Sequence, residues 1–95
     1  MELQETIHGL STTIEGKSNF LEMDNETVDI SNTELIITGT NNKVIIGENS
    51  TLKKLKITIT GNDNTIIIGN RCRLTGNIIS IGNSQKISIG DGTTF

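Results

Sequence analysis

Three segments of this sequence can be written one beneath another. They are Ile37-Thr-Gly-Thr-Asn-Asn-Lys-Val-Ile-Ile-Gly47, Ile59-Thr-Gly-Asn-Asp-Asn-Thr-Ile-Ile-Ile-Gly69 and Ser80-Ile-Gly-Asn-Ser-Gln-Lys-Ile-Ser-Ile-Gly90. The glycine pairs 39/47, 61/69 and 82/90 are each 8 apart, and a fainter copy at Ile14–Asp24 keeps the same spacing from Gly16 to Asp24. The first glycines of successive copies step by 23, 22 and 21 residues. A repeat of this period means that each copy is one structural unit stacked on the next.

Within each copy the apolar residues come in pairs two apart, the spacing that puts both side chains on one face of a short strand. One column of pairs is Leu21/Met23, Val44/Ile46, Ile66/Ile68 and Ile87/Ile89. A second is Glu26/Val28, Ser50/Leu52, Cys72/Leu74 and Thr93/Phe95, and a third is Thr12/Ile14, Leu35/Ile37, Ile57/Ile59 and Ile78/Ser80. In the last copy Ile79/Ile81 can point inward in place of Ile78/Ser80. Ile46 to Leu52 is 6 residues, Leu52 to Ile59 is 7 and Ile59 to Ile68 is 9, which closes a 22-residue coil with three walls. The reading is all-β: a single-stranded parallel β-solenoid of about four triangular coils over residues 14–95. Handedness does not follow from the spacing.

Glycine and asparagine suit the corners because they tolerate positive φ. Asn19, Asn42, Asn64 and Gln85 share one column, so their amides are expected to form a hydrogen-bonded ladder. Proline is absent, as a chain committed to backbone ladders requires. Residues 1–13 form an N-terminal cap segment, in which Leu3, Ile7 and Leu10 have the spacing of a short amphipathic helix, with a strand as the alternative. At the other end, Phe95 falls in the middle of a coil, an open apolar end that either continues in a longer chain or meets a partner.

Composition removes other classes. Apolar residues are 33% and aromatic residues 2% of the 95, too few large side chains for an ordinary globular core. The net charge of −3 and the scarcity of aromatics argue against a nucleic-acid partner. No apolar run has transmembrane length, and the N-terminus has no secretory pattern, so the chain reads as cytoplasmic and without membrane insertion. The lone Cys72 forms no internal disulfide, in keeping with a reducing compartment.

Motifs that suggest chemistry are better explained by the repeat. Gly16-Lys17-Ser18 resembles the end of a phosphate-binding loop, but Ser11 stands where the loop's first glycine belongs, and Gly16 is a coil corner. His8, the only histidine, has no readable acid–base partner. Cys72 falls in a small inward column with Ser50 and Thr93, as a space-filler. Asp24, Glu26 and Asp29 match no calcium loop, and there is no zinc set. Lys53, Lys54, Lys56, Arg71 and Arg73 suggest a basic strip on adjacent coils, with an anion or acidic sugar as a second reading beside a solvated face. The Thr38/Thr40 and Thr58/Thr60 pairs suggest an ice- or glycan-binding face but are out of register with each other. Ile45, Ile67 and Ser88 form an outward row suited to a subunit interface. No catalytic, cofactor-binding or metal-binding residue is assigned.

The hexads Ile46–Leu52 and Ile68–Leu74, of the form Ile-Gly-x-x-x-x-Leu, resemble the hexapeptide-repeat acyltransferases. The segment Gly-Asn-Asp-Asn-Thr-Ile-Ile-Ile-Gly-Asn at 61–70 is similar to the N-terminal coils of the branch that O-acetylates bacterial surface polysaccharides. The resemblance covers residues 14–95 and implies a left-handed β-helix, acetyl-CoA as donor, a sugar hydroxyl as acceptor and a homotrimer. It also implies a catalytic histidine in later coils, for which this sequence has no match after His8. The functional expectation is therefore the N-terminal β-helix portion of a polysaccharide O-acetyltransferase, inactive alone. The alternative is a self-assembling, bactofilin-like scaffold without enzymatic activity.

Overall fold

A computed structural model describes residues 9–24 and 26–94. The described residues contain nine strands and no helix: β1 (Leu10–Glu15), β2 (Phe20–Met23), β3 (Asp29–Ser31), β4 (Thr33–Thr38), β5 (Lys43–Ile46), β6 (Thr51–Thr60), β7 (Thr65–Ile68), β8 (Arg73–Ile81) and β9 (Lys86–Ile89). Every pairing between them is parallel. The fold is a parallel β-solenoid of about four coils.

The three walls follow from the register. One wall is the stack β2-β5-β7-β9, in which Leu21, Val44, Ile66 and Ile87 lie over one another, as do Met23, Ile46, Ile68 and Ile89. A second wall stacks β1, β4, the later half of β6 and the later half of β8, aligning Thr12, Leu35, Ile57 and Ile78 and, beside them, Ile14, Ile37, Ile59 and Ser80. The third wall is β3 on the start of β6, on the start of β8, with Thr94 bridging to Arg73 at the top. Alternating side chains from all three walls meet in one core. Burying such Leu and Ile side chains contributes roughly 1.5–3 kcal/mol each.

Two expectations are adjusted and one open choice is settled. In the first coil the inward pair on the third wall is Val28/Ile30, not Glu26/Val28: Ile30 is the partner of Leu52, and Glu26 is exposed. The cause is one additional residue in the corner after β2, where Met23 to Val28 spans five residues and the equivalent Ile46 to Ser50 spans four. That residue makes the first step 23. The third step is 21 because Lys53 and Lys54 together stand opposite Thr75 alone, a bulge between Leu52 and Leu55. Next, the ladder extends back to Leu10, which pairs with Thr33, so residues 10–13 are strand. Leu3 and Ile7 of the expected helix lie outside the described residues, as does Phe95. Lastly, Ile78 and Ser80 are the inward pair of the last coil, while Ile79 and Ile81 are 59% and 70% exposed.

The corners rely on positive φ. Gly16, Gly39, Gly61 and Gly82 occupy one column at φ 126–136°, with Ser18, Asn41, Asp63 and Ser84 two residues on at 57–62°. A Cβ on Gly39 would lie 1.8 Å from the Gly61 carbonyl oxygen, so this corner is closed to every other residue. The shortest corner places Asn32, Lys54 and Gly76 at φ 49°, 52° and 116°.

Candidate functional site

The inward polar residues are engaged in holding coils together. Asn42 is fully buried; its Nδ2 donates to the Gly61 carbonyl at 2.8 Å, and its Oδ1 accepts the Asn64 backbone N–H at 2.9 Å. Asn64 repeats this one coil higher, accepting from the Gln85 N–H at 2.9 Å and donating to the Gly82 carbonyl at 2.8 Å. The expected amide ladder is thus a ladder of side chain to backbone. One direct amide–amide bond exists in this column, from Asn42 Nδ2 to Asn19 Oδ1 at 3.1 Å. Backbone groups cannot be left bare in a core, so the amides serve as corner staples.

Ser50 and Cys72 do the same at another corner. Ser50 Oγ donates to the Gly69 carbonyl at 3.0 Å and accepts from the Cys72 N–H at 3.2 Å. The Cys72 thiol, fully buried, donates to the Gly90 carbonyl at 3.1 Å. Both side chains are committed to coil stacking and sealed from solvent. Ser80 is the exception: its buried Oγ has no hydrogen-bond partner.

Other residues singled out by sequence scatter. Gly16 is a corner glycine and Ser18 a left-handed corner residue, in place of a phosphate loop. Asp24 Oδ1 caps the Glu26 N–H at 2.9 Å, and Asp29 stands on the third wall, so the three carboxylates do not converge. Among the described residues, no group of His, Cys, Asp and Glu could hold a metal ion. His8 lies outside them. Ile45 and Ile67 are in register with Ser88 on the outside of the first wall, both half-buried. Thr38 pairs with Thr60 across coils, whereas Thr40 is level with Asn62, whose Oδ1 accepts its N–H at 2.9 Å.

The basic residues divide between walls and corners. Lys54 is in the bulge, Arg71 is at a left-handed corner, and Lys56 lies on the second wall beside Glu34. Lys53 and Arg73 remain together on the outside of the third wall. There they line an open depression of about 460 Å³ with Asp29, Thr51, Thr75 and Thr94. Asp29, Thr51 and Arg73 are successive members of one outward column, and Lys53 stands in the next column, one coil above Ser31. The signal lay in the 22-residue spacing from Asp29 to Thr51 to Arg73, which places the three on one wall once the first-coil shift is recognised. A second depression, lined by Glu22, Asp24 and Glu48 among others, is acidic and on a different side. The third-wall depression is the candidate site: two cations, three hydroxyls and one carboxylate on a rigid sheet.

No family model, curated protein or solved structure matches this sequence. Among the described residues, no helix is long and apolar enough to cross a membrane.

Proposed function

We propose that this chain is the N-terminal β-helix portion of an acetyl-CoA-dependent O-acetyltransferase acting on a bacterial surface polysaccharide, supplying coils and no catalytic residue. The observation that supports the reading is the hexad corner. Ile46–Leu52 and Ile68–Leu74 each carry the chain from the first wall to the third, with both aliphatic ends buried and stacked on each other. Acyl transfer to a sugar hydroxyl needs a base for the hydroxyl proton and a seat for the thioester. On this reading both belong to other coils of a longer, trimeric protein. The role of these coils is to set the register and to present outer walls to the glycan.

The test has two parts. The native protein, captured from source cells with an antibody to residues 14–95, is weighed intact, and CoA release from acetyl-CoA is followed with the source organism's surface polysaccharide. Release by the longer species and none by the 95-residue chain is expected. Release by the short chain alone overturns the claim that it lacks catalytic residues, and none by either overturns the acyltransferase reading.

A scaffold that polymerises is the second reading. It is favoured by the outer side of the second wall, where Ile79 and Ile81 are 59% and 70% exposed, an apolar surface that a second copy can cover. Filaments in electron micrographs support this reading, and discrete particles at high concentration remove it.

A further inference from the structure

We propose that the outer face of the third wall, centred on Lys53 and Arg73, binds a carboxylate-bearing saccharide chain. This deepens the glycan reading above, yet it concerns binding alone and does not depend on acyl transfer.

The wall is a lattice fixed by the solenoid. Neighbouring coils are ~4.8 Å apart and outward residues along a strand roughly 6.6 Å apart, so the Cα atoms of Lys53 and Arg73, on a diagonal, are separated by about 8 Å. Both side chains are exposed and border one depression. The Arg73 guanidinium suits a two-point bond to a carboxylate, and the Lys53 ammonium supplies a second, less directional contact. Thr51, Thr75 and Thr94 surround the cations with hydroxyls that both donate and accept, the complement of sugar hydroxyls. Asp29 at the lower edge accepts hydrogen bonds only. It pairs with a sugar hydroxyl and repels a carboxylate, which orients the chain along the coils.

Two observations narrow the ligand. Three of the wall's backbone donors are consumed by the ladder: the N–H groups of Asp29, Thr51 and Arg73 bond Ser50, Cys72 and Thr93 carbonyls at 2.9, 2.7 and 2.8 Å. A compact phosphate anion favours a nest of free backbone N–H groups, and along the Asp29–Thr51–Arg73 column these groups are taken. Among the described residues no aromatic side chain lines the depression, so a nucleic-acid base meets no stacking platform from them. What remains is local: two cations set among hydroxyls.

The 95-residue chain is titrated calorimetrically with polygalacturonate at low salt, with dextran and inorganic phosphate as comparison probes. Binding of polygalacturonate and not of dextran is expected. The K53Q/R73Q variant is expected to lose at least about tenfold in affinity, the loss of two charge-assisted contacts. The K43Q/K86Q variant removes equal charge from the outside of the first wall and is expected to change affinity by less than about twofold. Circular dichroism melts verify that both variants stay folded. The inference is overturned if polygalacturonate does not bind, if dextran binds equally well, if phosphate displaces the saccharide, or if both variants weaken binding alike. Because acetyl transfer is not the readout, failure of the longer species to release CoA sinks only the acyltransferase reading and leaves saccharide binding standing.

Discussion

Replacing Asn42 with leucine keeps the side chain's approximate size and removes both of its polar atoms. In the native coil those atoms satisfy the Asn64 N–H at 2.9 Å and the Gly61 carbonyl at 2.8 Å. Asn42 and Asn64 both have 0% exposure, so water cannot take over the Asn64 N–H bond, while the Gly61 carbonyl is half-buried and can recover part of its loss. Leaving a buried donor or acceptor unpaired costs about 1–3 kcal/mol, so two orphaned groups cost roughly 2–5 kcal/mol after some offset from the added apolar surface. Small domains are stable by only about 5–15 kcal/mol, so the loss is large. Urea unfolding followed by far-ultraviolet circular dichroism measures it. Lys43→Ala, one residue away and exposed, serves as control and should shift stability by no more than ~0.5 kcal/mol. Asn64→Leu should cost less than Asn42→Leu, because the Gln85 N–H it serves belongs to an exposed residue, whereas the Asn64 N–H served by Asn42 is buried. If Asn42→Leu costs under ~0.5 kcal/mol, the amide column does not hold the coils together and the reasoning fails.

Four further outcomes are expected. Gly39→Ala should destabilise far more than Gly76→Ala in the same urea assay: both have φ above 100°, but only at Gly39 does a Cβ collide with backbone, whereas nothing lies within 4 Å at Gly76. Ser80→Val should raise the midpoint by about 1 kcal/mol equivalent, since it removes the unpaired buried hydroxyl from a column of isoleucines. Lys54→Asn should stabilise by up to ~1 kcal/mol, because Lys54 is held at φ 52° and Asn32 already fills that corner one coil below. Cys72 should resist thiol reagents in the native state and react on unfolding, and Cys72→Ser should cost under ~1 kcal/mol because Ser50 shows that a hydroxyl satisfies this column.

The coil columns were legible because period-two aliphatics and corner glycines repeat at nearly constant spacing. Leu35/Ile37 over Ile57/Ile59, and Val44/Ile46 over Ile66/Ile68, needed nothing else. What escaped were single-residue changes in loop length. The additional residue after Met23 moved the inward pair from Glu26/Val28 to Val28/Ile30, and Lys54 carries no mark of a left-handed bulge. The choice between Ile78/Ser80 and Ile79/Ile81 is undecidable from pattern, since the column spacing favours the first pair and side-chain hydropathy the second. The backbone decides it: Gly76 opposite Leu55 sets the register that brings Ile78 over Ile57. The amide column was identified, but its partners were not, because an amide can bond its like or the backbone equally well. The candidate site was half visible. Five basic residues suggested one strip, yet three walls and their corners separate all but Lys53 and Arg73, and the accompanying threonines carry no sequence signal of their own.

The stacked, in-register coils underlie every statement about walls and columns, and nuclear magnetic resonance tests them directly. In isotopically labelled protein, interstrand contacts between backbone amides should link Val44 to Ile66 and Ile66 to Ile87, with the parallel pattern continuing at Ile46, Ile68 and Ile89. Contacts displaced by two residues along the strands, or an antiparallel pattern, would contradict the solenoid and remove Lys53 and Arg73 from a common face.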